Sequence, residues 1–79
     1  MTLLECKLNQ KYTIESLNCG KNAHKRLCQL GLLPNVEIKV LRRGFGPVLI
    51  EVKGSKLVLG HGLASKVYVK WTLIKIKTL

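Results

Sequence analysis

Apolar and polar residues alternate in short runs along most of the chain, and turn-forming residues separate the runs. In Lys11-Tyr12-Thr13-Ile14-Glu15-Ser16-Leu17, β-branched and aromatic residues are interleaved with polar ones ahead of Asn18-Cys19-Gly20, which predicts a strand and a turn. From Asn22 the period changes. Asn22 is placed to N-cap a helix of two to three turns, Ala23, Leu27 and Leu30 share one face of it, and Gly31 is placed to end it. Pro34-Asn35 then turns the chain into a second strand, where Val36, Ile38 and Val40 alternate with Glu37, Lys39 and Leu41. After the glycine-rich connection Arg43-Gly44-Phe45-Gly46-Pro47, Val48, Ile50 and Val52 alternate again. Gly54-Ser55 turns that run into Lys56-Leu57-Val58-Leu59, which predicts a hairpin. Gly60-His61-Gly62 breaks the strand, Leu63-Ala64-Ser65 makes one helical turn, and Val67, Val69 and Trp71 resume the alternation.

The expected fold is therefore mainly β, with about five strands and one short helix after the first. Strands this short protect their edges best by curling into a small, partly open barrel. Residues 1–79 are read as a single domain, of which 72–79 form a strand-like tail. Leu73, Ile74, Ile76 and Leu79 in that tail need cover, and a homodimer through this edge is one way to supply it.

Charge narrows the choice of partner. Fourteen Lys and Arg stand against four Glu and no Asp, a formal net charge of +10, which suits nucleic acid, an anionic membrane surface or an acidic protein patch. The basic residues are spread along the strands, as a solvated outer face also requires. Apolar residues, 47% of the chain, never gather into the ~18 consecutive positions of a membrane span. The first residues have no basic n-region and no cleavage site, which points to the cytoplasm. Cys6, Cys19 and Cys28 include no Cys-x-x-Cys, so free thiols are expected, not disulfides or a zinc knuckle.

Candidate chemistry is sparse. His24 and Cys28 are four apart on the predicted helix, close enough to share a metal ion. Two further ligands from Cys19, His61, Cys6 or a symmetry mate would be needed, so the expectation is at most a weak Fe2+ or Zn2+ site and no required cofactor. The histidines have no Asp to pair with, and Gly44-Phe45-Gly46 is not a phosphate-binding loop, so the chain is not expected to be an enzyme. Phe45 is either a plug for one end of the barrel or an exposed anchor for a partner, and Trp71 is expected to pack on the barrel.

Arg26-Leu27-Cys28-Gln29-Leu30-Gly31-Leu32-Leu33-Pro34-Asn35 and the strand after it resemble the ferrous iron transport protein A (FeoA) family. The resemblance continues through Gly46-Pro47, Ile50-Glu51-Val52-Lys53-Gly54, Leu57-Val58-Leu59 and Leu63-Ala64-Ser65-Lys66-Val67-Tyr68-Val69, and it covers roughly residues 3 to 70. It implies an SH3-like barrel that accompanies a membrane ferrous iron transporter with a cytosolic GTPase domain. Asn35 stands where the family usually has Gly, and Asn tolerates the positive φ such a turn requires. Gly60-His61-Gly62 replaces the Arg and acidic residue that often follow the fourth strand.

The function expected from the resemblance is that of a cytoplasmic accessory protein of ferrous iron uptake. The alternatives are a small basic barrel that binds nucleic acid, and a transition-metal carrier or sensor. Sequence-specific nucleic-acid binding is not expected, because only four aromatic residues are available for base stacking. If Ala23, Leu27 and Leu30 fill the inward face of the helix, Leu32 and Leu33 are left as surplus apolar surface. The expected partner-binding surface therefore joins Arg26, Gln29, Leu32 and Leu33 to Arg42, Arg43 and Phe45 in the glycine-rich loop.

Overall fold

Each alternating run as far as Trp71 becomes a strand. The computed structural model describes residues 1–72, and within them the elements are β1 (Lys11–Leu17), α1 (Lys21–Gln29), β2 (Glu37–Arg42), β3 (Val48–Val52), β4 (Ser55–Leu59), α2 (His61–Ala64) and β5 (Val67–Trp71). The strands form one antiparallel sheet in the order β4-β3-β2-β1-β5, so β1 lies between β2 and β5. Register shifts between Ile14 and Ser16 and between Val40 and Arg42 place a bulge in the β1–β5 and β2–β3 pairings, and bulges of this kind bend a sheet towards closure. Ile14, Val40, Ile50, Leu59 and Val69, one from each strand, meet Leu27 of α1 in a single core.

The segment before β1 also enters that core. Leu3 and Cys6 are fully buried, the Val69 N–H donates to the Met1 carbonyl at 2.8 Å, and Thr2 bridges Tyr68. The chain start thus covers the outer edge of β5. A turn holds it there: Thr2 N–H donates to Glu5 Oε1 at 2.8 Å, and this hydrogen bond lowers the Glu5 carboxyl below its usual range.

The helix differs from expectation at its start and ends at Gly31 as expected. It begins at Lys21, with Gly20 as N-cap and no side-chain cap, because the Gly20 carbonyl accepts the His24 N–H at 2.9 Å; Asn22 lies inside the first turn. At the other end Gly31, at φ +87°, turns the chain back. Its N–H donates to the Cys28 carbonyl at 3.0 Å, and the Leu32 N–H donates to the Leu27 carbonyl at 3.0 Å, a Schellman closure. That reversal drives Leu32 into the core and leaves Leu30, counted as inward from its spacing, 38% exposed.

The turns show where left-handed backbone was needed. Asn35 adopts φ 73°, as expected of the residue after Pro34. The hairpin turn falls on Lys53 and Gly54, at φ 51° and 80°, one residue earlier than expected. The helical turn after β4 starts at His61 instead of Leu63, so only Gly60 breaks the chain there. The expected cover of the tail concerns residues 73–79, which lie outside the described residues.

Candidate functional site

The side chains expected to form one partner surface fall into two groups, at opposite ends of β2. Arg26, Gln29 and Leu33 are exposed around the end of α1, just before β2 begins. Arg42, the last residue of β2, and Phe45, in the loop after it, are exposed at the other end. The six residues of β2, counted to Arg42, correspond to roughly 20 Å. Leu32 belongs to neither group. It has no exposed surface, so its expected place on the outside is corrected: the Schellman turn directs it under the helix, and Leu30 joins Leu33 on the surface in its stead.

Phe45 is fully exposed, which removes the plug reading. The glycines on either side give the loop no side chains with which to cover its ring. The guanidinium of Arg43 is not free to meet a partner in the way expected, because its Nη1 donates to the backbone carbonyl of Cys6. That bond ties the loop to the buried N-terminal segment and fixes the base from which Phe45 projects. Burial pushes the Cys6 thiol up to about 11, against an opposing pull from the Arg43 charge.

His24 and Cys28 come together as their spacing predicts. Nδ1 of the imidazole lies 3.6 Å from Sγ, on an exposed part of α1. The other expected ligands do not join them: Cys6 is buried, Cys19 is packed partly against the core, and His61 opens α2. Among the described residues no three His, Cys, Asp or Glu side chains are grouped to hold a metal ion.

A basic groove on the outer face of the sheet was not visible in the sequence, because it depends on register. Lys11 of β1 stands directly opposite Lys39 of β2, and the two line a depression with Asn9, Gln10, Trp71 and Thr72. Trp71 packs on the buried Tyr12 ring with centroids 4.7 Å apart and planes at 33°, and Lys7 Nζ is 5.9 Å from the Trp71 ring. Trp71 therefore packs on the barrel as expected, with about half its surface left open. One half-covered indole is a poor platform for stacking successive bases.

Comparison with known proteins places this geometry in context. A family model described as the FeoA domain matches residues 1–70. The chain is 34% identical over 64 residues to a candidate Fe(2+) transport protein A of Methanocaldococcus jannaschii, covering 81% of this chain and 78% of that protein. The crystal structure of an iron uptake regulatory protein, FeoA, superposes with a TM-score of 0.83 at 34% identity, over 89% of this chain and 95% of that one. The zinc complex of Stenotrophomonas maltophilia FeoA superposes with a TM-score of 0.77 at 26% identity, over 89% of each chain. That protein is described as an SH3 domain protein and a candidate activating factor of bacterial ferrous iron transport, and its fold is the small barrel expected here.

Proposed function

Because the chain belongs to the FeoA domain family of ferrous iron transport, we propose that it is a cytoplasmic, non-catalytic accessory protein that docks on the cytosolic GTPase-bearing part of a membrane ferrous iron transporter. The observation that carries this reading is Phe45, a fully exposed aromatic ring on a loop tied down by Arg43, beside the exposed Arg42, in a chain of net charge +10. An aromatic anchor on a pre-fixed loop is what a binding hot spot requires, since little order is lost on docking. The complementary surface is an apolar pocket with an acidic rim. Leu30, Leu33, Arg26 and Gln29 form a second contact, within reach of a partner that spans both ends of β2. Among the described residues no helix is long and apolar enough to cross a membrane, so on this reading the transporter supplies the membrane span. The role requires no cofactor and leaves room for a weakly held transition metal, Fe2+ or Zn2+, at His24 and Cys28.

The test is association with the transporter's cytosolic domain, measured for Phe45→Ala and Arg42→Glu beside melting temperature. Phe45→Ala is expected to weaken association about tenfold or more with an unchanged melt. Full retention of binding by both variants would place the docking surface elsewhere.

A further inference from the structure

We infer that the outer edge of β4 takes an extended, acidic segment of a partner protein as an added strand of the sheet. The fold treats the two edges of the sheet differently. The β5 edge is covered by the chain start, where the Val69 N–H donates to the Met1 carbonyl and Thr2 bridges Tyr68. β4 ends the sheet on the other side, with no strand paired to its outer edge among the described residues. Register shows which of its backbone groups are open. Val52 and Ser55 flank the two-residue turn Lys53-Gly54, and in a hairpin of that length the flanking pair exchanges both hydrogen bonds. Parity gives the same bonding to Ile50 with Leu57 and to Val48 with Leu59, so the N–H and C=O of Lys56 and Val58 point away from β3. No turn or loop among the described residues bonds to them.

Shape and charge name the occupant. The β3–β4 ladder runs from Val48–Leu59 to Val52–Ser55 without a register shift, whereas β1–β5 and β2–β3 are each bulged, so the open edge is also a regular one. Bulges and prolines are common means of closing an edge to other strands, and β4 has neither. Along it Val58 leaves 61% of its surface open, and Leu57 faces the core but is only partly covered. A strand laid beside β4 covers both with apolar side chains of its own. Lys56 decides the charge. Glu51 of β3 lies across from it on one side, and its other side is open to a carboxylate on the added strand, with Lys53 in the turn beyond. The same lysines repel a basic strand, including any from a second copy of a chain at +10. The edge adjoins the Phe45 loop, since Leu59 pairs with Val48 just after that loop, but the inference rests on backbone groups and not on the Phe45 contact.

The experiment titrates a capped peptide, Thr-Val-Val-Glu-Thr-Glu, into the isotope-labelled protein and follows amide shifts and hydrogen exchange. Set antiparallel to β4, this peptide places valines beside Val58 and Leu57 and a glutamate beside Lys56. The control peptide carries lysine in place of both glutamates. The acidic peptide is expected to bind, to shift the Lys56 and Val58 amides most and to slow their exchange, whereas the control is expected not to bind. Lys56→Glu is expected to weaken the acidic peptide severalfold and to admit the control, with an unchanged melt. Val58→Pro removes an outward N–H, which an edge strand tolerates, and is expected to abolish binding. Should that variant fail to fold, the charge reversal at Lys56 still decides. Shifts centred on the Phe45 loop or on Lys11 and Lys39, or binding untouched by Lys56→Glu, would overturn the edge as the site. No binding at millimolar peptide would overturn the inference and leave the Phe45 contact standing. Slow exchange of the Lys56 and Val58 amides before any peptide is added would overturn it too, because the chain itself or a second copy would already hold the edge.

Discussion

Leu32 donates its backbone N–H to the carbonyl of Leu27 at 3.0 Å, and the side chains of both residues are fully buried in the core. The end of α1 is therefore held from two sides, by backbone hydrogen bonds and by apolar burial. Truncating Leu32 should act as a core deletion. Leu32→Ala is expected to cost about 2–5 kcal/mol, which lowers the melting temperature by roughly 10 °C or more at ~4–8 °C per kcal/mol. Leu33→Ala, its exposed neighbour, should stay within about 0.5 kcal/mol. Equal melts for the two variants would show that Leu32 is not a core residue.

That pair also marks where reading the sequence stops working. The five strands were legible because a residue's face in a strand depends only on parity, and Ile14, Ile38, Val40, Ile50 and Val69 all fall where alternation puts them. Helical periodicity holds only while the helix continues. Past Gly31 the left-handed turn resets the direction of every side chain, so Leu30 and Leu32 exchanged places with their expected positions. His24 and Cys28 were legible because a spacing of four is local. The bond from Arg43 to the Cys6 carbonyl and the pairing of Lys11 with Lys39 join distant parts of the chain, and no local pattern carries them. The direction taken by Phe45, between two glycines, was equally open.

Lys53 holds φ 51° in a hairpin turn whose first central position favours Asn or Asp. A lysine there gives up about 1–2 kcal/mol of backbone preference, and Lys53→Asn is expected to recover part of it and raise the melting temperature by several degrees. Gly31→Ala should move the melt the other way by a similar amount. Open space surrounds Gly31, so its penalty is conformational and not steric. Thermal unfolding of the two variants checks both signs, and a neutral Lys53→Asn would contradict the turn.

Cys6 should be the protected thiol. Burial raises its pKa to about 11, whereas Cys19 and Cys28 are only half-buried. A thiol reagent at mildly alkaline pH is expected to modify two cysteines quickly in the folded protein and the third only on unfolding. The raised value also sets a direction with pH. The folded state holds the Cys6 proton more tightly than the unfolded chain does. Its contribution to stability is therefore complete below the ordinary thiol range near 8.5 and declines as pH rises to about 11. Denaturant midpoints of wild type and Cys6→Ala across that window give the comparison, and the variant is expected to lose less of its stability. Parallel curves would remove Cys6 as the cause.

Binding to nucleic acid is expected to be weak, indifferent to sequence and lost between roughly 50 and 200 mM salt. The positive charge is spread over the sheet, and among the described residues Lys11 and Lys39 are the one pair of lysines directly opposite each other in the strand register. Fluorescence anisotropy with single-stranded and duplex oligonucleotides at graded salt measures this. A complex that survives physiological salt and prefers one sequence would turn the Trp71 groove into a recognition site.

The place of β1 between β2 and β5 sets an order of assembly. The β2-β3-β4 meander closes through short turns, while β1 pairs Leu17 with Val67 across the whole length of the intervening chain. Contacts between such distant segments carry a larger loop-closure cost before they stabilise anything. We predict that the meander forms in the folding transition state and that β1 docks on β5 after the barrier. In chevron measurements Ile50→Val, in β3, should then mainly slow folding, whereas Ile14→Val, in β1, should mainly speed unfolding. The opposite pattern would reverse the order. If it holds, the strand that completes the barrel is also the first to let go, and resistance to unfolding by force or heat is set at the β1–β5 seam.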